Sequence, residues 1–263
     1  MTHQVPAEWS GLDDHALAGE LAAEAGRLLV AHRDALVSRG TTHWMLCDTG
    51  DALGHDFLTD ALRATRPADS VLSEEGADDR TRLTNDRVWI VDPLDGTNEY
   101  GENRGDWAVH VALWEKGRLA AGAVALPAID RVFLTDPAPV IPPRPEGNPR
   151  LVTSRNRAPY AAVIVANALG CDAFRLGSAG AKAMSIVMNE ADIYIHDGGM
   201  YQWDSAAPAA VAEAAGLHTS RIDGSPLVYN GREAWLPDFI VCRKELADEV
   251  LHALWGNRED QSR

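Results

Sequence analysis

Positive charge is in short supply: Lys and Arg number 24 against 39 Asp and Glu, a formal net charge of −15. That is the wrong sign for holding a long nucleic acid backbone by counterion release. Cysteine is scarce as well. Cys47, Cys171 and Cys242 lie far apart with no C-x-x-C pair, which argues against a disulfide framework and a thiolate zinc site and fits a reducing cytoplasm. No apolar run is long enough to span a bilayer; the stretch around 161–169 is short and interrupted by Asn167. Residues 1–11 carry neither a basic nor an apolar leader region, so a soluble protein with no membrane partner is expected. The nine histidines show no H-x-x-H or H-E-x-x-H spacing, and they are assigned no catalytic role.

What is present is ordinary globular composition, 263 residues with 46% hydrophobic, enough for one or two domains. Leu17, Leu21, Ala25, Leu28, Leu29 and Leu36 recur at helical spacing behind the candidate caps Asp13 and Asp14, predicting one long helix over 12–39. A second helix is predicted over 51–66, ended by Pro67. Short β segments follow at 71–73, 87–91, 107–114, 120–126 and 131–134. Six of the 14 prolines crowd into 136–150, which prevents regular structure there and places a boundary near 147 between an α+β lobe (1–147) and an α/β lobe (148–263). In the second lobe strands are predicted at 150–153, 191–196 and 238–242, and helices at 159–169, 178–188, 204–215 and 245–255. This alternation points to a mixed or parallel sheet covered on both faces.

The chemistry concentrates in Val88 to Thr97, VWIVDPLDGT, where an apolar strand runs into two aspartates three apart. Asp92, Asp95 and the Leu94 carbonyl can converge on a hard cation, although D-P-x-D-G is also simply a favourable turn. Ser73-Glu74-Glu75 ends the preceding apolar segment, and Trp203-Asp204-Ser205-Ala206-Ala207-Pro208 puts an aspartate at the start of a helix in the other lobe. Separately these read as a solvated loop and an N-cap. Their joint order is far more specific.

That order resembles the lithium-sensitive, magnesium-dependent phosphatase superfamily of inositol monophosphatases, fructose 1,6-bisphosphatases and 3′-phosphoadenosine 5′-phosphate phosphatases. The similarity runs over nearly the whole chain, through Thr49-Gly50-Asp51, the strand at 107–114, residues 122–127 and 177–182, and Asp223 to Leu227. It implies an α/β fold, the five-layer αβαβα sandwich. It also implies that Glu74, Asp92, the Leu94 carbonyl, Asp95 and Asp204 hold two or three Mg²⁺ ions, with Asp51 and Thr97 orienting the attacking water and Glu74 counted in the catalytic set. Backbone N–H groups at Gly96 and Thr97 would bind phosphate oxygens. The implied mechanism is in-line displacement by metal-activated water, with no phosphoenzyme.

Substrate choice rests on residues around the leaving group. Gly177-Ser178-Ala179-Gly180-Ala181-Lys182 is similar to the segment that lies against the substrate sugar in relatives, and Lys182 is similar to the lysine of the nucleotidase branch, suited to a second phosphate. Lys182 also reads as a surface helix residue. Asp197 matches the carboxylate with which inositol monophosphatases hold a substrate hydroxyl, and it would repel a second phosphate. Tyr201 can stack on a base or simply pack. Within the superfamily, residues 71–75, 106–110 and 177–182 most resemble the actinobacterial CysQ-type branch, which implies hydrolysis of 3′-phosphoadenosine 5′-phosphate to AMP in sulfate assimilation. Inositol, sugar or nucleoside monophosphates stand second. A non-catalytic nucleotide-binding relative stands last, because it would have no catalytic reason to keep a costly carboxylate cluster. Relatives are often homodimers, which leaves a homodimer open, but no surface stripe in the sequence marks an interface.

Overall fold

A computed structural model describes residues 5–78 and 80–256. Residues 1–4, part of the segment 1–11 expected to carry no leader, and 257–263, the end of the second lobe, lie outside the described residues. Helices α1 (Asp14–Val37) and α2 (His43–Thr65) precede strands β1 (Ser70–Ser73) and β2 (Arg87–Asp95), helix α3 (Thr97–Gly101), and strands β3 (Ala108–Glu115), β4 (Arg118–Leu126) and β5 (Arg131–Leu134). These five strands form one sheet in chain order, β1 parallel to β2 and the others antiparallel. After 136–149, which holds no helix or strand, come β6 (Arg150–Ser154), α4 (Tyr160–Leu169), β7 (Asp172–Leu176), α5 (Ala179–Val187), β8 (Ile193–Tyr201), α6 (Gln202–Ala214), β9 (His218–Ser220), β10 (Trp235–Cys242) and α7 (Ala247–Trp255). The second sheet has the mixed order β7-β6-β8-β10-β9.

Five layers result. Helices α1 and α2 cover one face of the first sheet, α5 and α6 fill the space between the sheets, and α4 and α7 cover the far face of the second. Alternation within the strands distributes the side chains. In β2, Val88 and Ile90 join the central core while Trp89 and Val91 join the outer one. In β8, Tyr194 packs centrally, whereas Ile193 and Ile195 face α4.

Three local differences from the sequence expectation have physical causes. Helix α2 begins at His43, eight residues before the amphipathic pattern, because its first turn is on the surface: Trp44 is 73% exposed. Strand β7 is a sheet edge alternating exposed and half-buried residues, including Asp172 and Arg175, so it lacks an apolar signature. Strand β9 has only three residues. At the helix starts the sequence signal held, with Asp13 Oδ1 accepting from the Ala16 N–H at 2.8 Å.

The second sheet is anchored by one buried ion cluster. Asp192, with no exposed surface, accepts from the guanidinium groups of Arg150 (2.8 Å) and Arg243 (2.9 Å). Asn189 bonds both arginines. Asp192→Ala would leave two guanidinium groups without their carboxylate, and a loss of about 3–5 kcal/mol is expected in urea unfolding; an unchanged midpoint would contradict the anchoring role.

Candidate active site

Strand β2 delivers the two motif aspartates to one point through an irregularity. Asp92 pairs with His110 and Asp95 with Ala108, so two residues, Pro93 and Leu94, bulge against a single Val109. The Leu94 N–H then donates to Asp92 Oδ1 (3.1 Å), and the Leu94 carbonyl lies 3.1 Å from Thr97 Oγ. Gly96 turns the chain with φ +96°, a conformation open to glycine, and a Cβ there would press on Trp107 and Ser178. Thr97 Oγ also lies 3.1 Å from Asp51 Oδ1, so α2 meets the motif at this hydroxyl.

Asp95 crosses to the central layer. Its carboxylate accepts from Ser178 Oγ (2.5 Å) and from the Ala179 and Gly180 N–H groups (3.1 and 2.7 Å), capping the start of α5. Ser178 Oγ accepts in turn from the Ala181 N–H. From the other side, Asp204 at the start of α6 accepts from the Tyr201 N–H at 2.6 Å. Pro208, one turn on, supplies no N–H to the Asp204 carbonyl. Carboxylate oxygens of Asp92, Asp95 and Asp204 consequently lie within 4.8 Å of one another.

So many carboxylates resist full ionisation. Burial pushes Asp92 well above the usual carboxylate range, and the charges of Glu74, Asp95 and Asp204 add to the shift. Burial of its carboxyl and the charge of Asp204 push Glu74 up to about 7, against a hydrogen bond to Asp92 that lowers it. Burial and the charge of the exposed Glu75 bring Asp51 to about 7, and burial with Asp95 brings Asp204 to about 6. Asp95 is the exception: burial works to raise it, yet His110, Lys182 and Ser178 hold it below the normal range. Asp92 Oδ2 is buried and has no hydrogen-bond partner. An unpartnered buried oxygen among like charges, with a backbone carbonyl nearby, is a donor set suited to a divalent cation.

Three residues sit differently from their sequence reading. Asp197 Oδ2 accepts from the Ala161 N–H at 2.7 Å, at the start of α4. Asp197 follows Ile193 and Ile195, which pack toward α4, and a register shift between Asp197 and Met200 then brings Gly199 and Tyr201 to the cavity. Lys182 is no surface residue; it is 5% exposed, with Nζ 3.1 Å from the Gly177 carbonyl and 2.6 Å from that of Ser178. It also lies over the Tyr194 ring at 5.3 Å and borders the cavity. His110, assigned no role from sequence, has no exposed surface and sits with Nε2 3.2 Å from Asp95 Oδ2 and Nδ1 3.1 Å from the Trp203 carbonyl. Burial disfavours its charge, but Asp95 outweighs this and raises its pKa. A Cβ on Gly180 would fall 2.1 Å from His110 Nε2, so the α5 glycine makes room for the ring. No short motif marks His110; only its register opposite Asp92 does.

Beside the carboxylates opens a cavity of about 390 Å³, lined by Asp95, Asp204, Ser178 and Lys182 on one side and by His196, Gly199, Tyr201 and Trp235 on the other. Tyr201 is half exposed and stacks on Trp203 with ring centroids 4.6 Å apart and planes at 9°.

Unfolded carboxyls titrate near about 4, so between pH 4 and 7 the folded, metal-free chain holds extra protons on Asp51, Glu74, Asp92 and Asp204, and rising pH destabilises it. His110 acts in the same direction; His32 and His218, lowered by burial, oppose it. In EDTA the Tm is expected to fall from pH 5 to pH 8, and Mg²⁺ is expected to raise it more at pH 8; a Tm rising over this window without metal would contradict the cluster electrostatics.

Comparison with known proteins agrees with this geometry. The profile of the inositol monophosphatase family matches residues 15–259. The 3′-phosphoadenosine 5′-phosphate phosphatase of Mycobacterium leprae (strain TN) is 46% identical over 253 residues, covering 91% of this chain and 93% of that one. Among solved structures, inositol monophosphatase II from Staphylococcus aureus MSSA476 superposes with a TM-score of 0.77 at 21% identity, over 90% of this chain and 94% of that one. CysQ from Bacteroides thetaiotaomicron does so with 0.73 at 24%, over 87% and 97%. Fold, carboxylate motifs and sequence agree, and the chain belongs to the inositol monophosphatase family.

Proposed function

We propose that this chain is a Mg²⁺-dependent phosphomonoesterase that hydrolyses 3′-phosphoadenosine 5′-phosphate to AMP and phosphate. The observation that carries the hydrolase assignment is the buried, unpartnered Asp92 Oδ2 within a group of converging carboxylates, two of which, Asp95 and Asp204, line a cavity. The choice of ester rests on the Mycobacterium leprae phosphatase, alike over nine-tenths of both chains. Glu74, Asp92, the Leu94 carbonyl, Asp95 and Asp204 would hold two or three Mg²⁺ ions. Bound there, Mg²⁺ supplies charge neutralisation for the phosphate and leaving oxygen and lowers the pKa of water.

The chain's own groups do the positioning. Thr97 Oγ and Asp51 stand together, and Asp51, pushed up to about 7, is matched to taking a proton from the attacking water near neutral pH. Backbone N–H groups of Gly96 and Thr97 orient the phosphate. Ser178 keeps Asp95 aimed between the lobes. Lys182 spends two donors on carbonyls and retains a third for an oxygen of the second phosphate, while Tyr201 offers its free face to the nucleoside. Asp197 is bonded to the start of α4 and is not among the residues lining the cavity. A reducing cytoplasm suits the three free cysteines.

The test is phosphate release with Mg²⁺ from 3′-phosphoadenosine 5′-phosphate, inositol 1-phosphate, fructose 1,6-bisphosphate, AMP and 2′-AMP, comparing kcat/KM. Preference for the first is expected, and preference for a monophosphate would overturn the substrate assignment. Asp92→Asn is expected to cost several orders of magnitude in kcat with the fold retained; near-normal turnover would remove Asp92 from the metal set.

A further inference from the structure

Trp235, the first residue of β10, pairs directly with Tyr201 at the end of β8. It is 43% exposed, and it borders the cavity. Its indole lies across Gly199: a Cβ there would sit 2.2 Å from Trp235 Cζ2 and 2.4 Å from Cη2. Gly199 also has φ +98°, so any side chain would be strained and would displace the ring. The segment before Trp235 is held firmly, since Gln202 donates its N–H to the Ala234 carbonyl (2.7 Å) and its Nε2 to the Glu233 carbonyl (3.0 Å), and accepts from the Asn230 N–H. The tryptophan is thus a pre-positioned flat surface.

Trp235 shares its cavity with two of the carboxylates, Asp95 and Asp204. The Tyr201 N–H binds the Asp204 carboxylate, and Gly199, under the indole, lines the same cavity. We infer that Trp235, seated on Gly199, is the stacking surface for the purine of the substrate and selects nucleotides over base-free phosphate esters. This rests on the phosphomonoesterase assignment above and assigns a specificity role to a residue that no motif singles out. A base offers its π face to an indole whatever its edge groups, so the contact selects for the presence of a base more than for its identity. Tyr201, backed by Trp203, extends the same surface toward the metal end.

The experiment compares wild type, Trp235→Leu, Trp235→Phe and Gly199→Ala on 3′-phosphoadenosine 5′-phosphate and on glycerol 2-phosphate, which has no ring. Trp235→Leu keeps an apolar side chain but has no flat face. Its ratio of kcat/KM for the bisphosphate over glycerol 2-phosphate is expected to fall about tenfold, through KM, with partial recovery in Trp235→Phe. Gly199→Ala is expected to lower the ratio by displacing the indole while leaving every aromatic present. AMP binding by calorimetry should weaken in step. An unchanged ratio in Trp235→Leu and Gly199→Ala, or no recovery in Trp235→Phe, would overturn the stacking role. A wild-type enzyme that hydrolyses glycerol 2-phosphate but ignores the bisphosphate would overturn the substrate assignment and the stacking role with it.

Discussion

Everything in this site depends on Asp95 being held from both sides. Its carboxylate terminates β2 in the first sheet and receives the Ser178 hydroxyl and two backbone N–H groups at the start of α5 in the central layer. His110 and Lys182 add positive charge to the same group. One side chain thereby caps a helix, joins the two halves of the chain and stands among the oxygens that face a cation. Because those donors are fixed by helix geometry, Asp95 stays ionised where its neighbours tend toward protonation, and it is the invariant pole around which Asp92, Glu74 and Asp204 are set.

The surroundings follow from that arrangement. Small residues recur where elements approach one another: Gly180 admits His110, Gly96 fits between Trp107 and Ser178, and Gly199 carries the Trp235 ring. Each is a place where a methyl group would move a side chain next to the carboxylates or the cavity. Packing on the two faces of β8 separates tasks in the same way. Tyr194 and His196 border the cavity while Ile193, Ile195 and Asp197 secure α4, and beyond the register shift Gly199 and Tyr201 reach the cavity too. The Asp197 carboxylate is bonded to the start of α4.

The sequence was most informative where chemistry is local. Two aspartates either side of a Pro-Leu step can converge on a hard cation or simply form a turn, and it was their order with Glu74 and Asp204, and the resemblance which that order carries, that implied a metal site. Long, periodic elements such as α1 were equally legible, because burial of one helix face imposes a repeat that survives without knowledge of neighbours. The exposed first turn of α2 and the edge strand β7 were not, since surface residues carry little pattern.

The amino-acid sequence by itself determined the acidic motif and the succession of helices and strands, which depend on residue order and periodicity, and its resemblance to a known superfamily implied the layered α/β architecture. Only the tertiary structure decided that Lys182 is buried against carbonyls, that Asp197 turns toward α4, and that His110 and Trp235 border the carboxylates and the cavity. Those placements depend on strand register and on contacts between residues tens of positions apart. A change of one residue in register moves a side chain to the opposite face of its sheet. Composition and spacing carry no record of that choice, whereas the packed layers fix it.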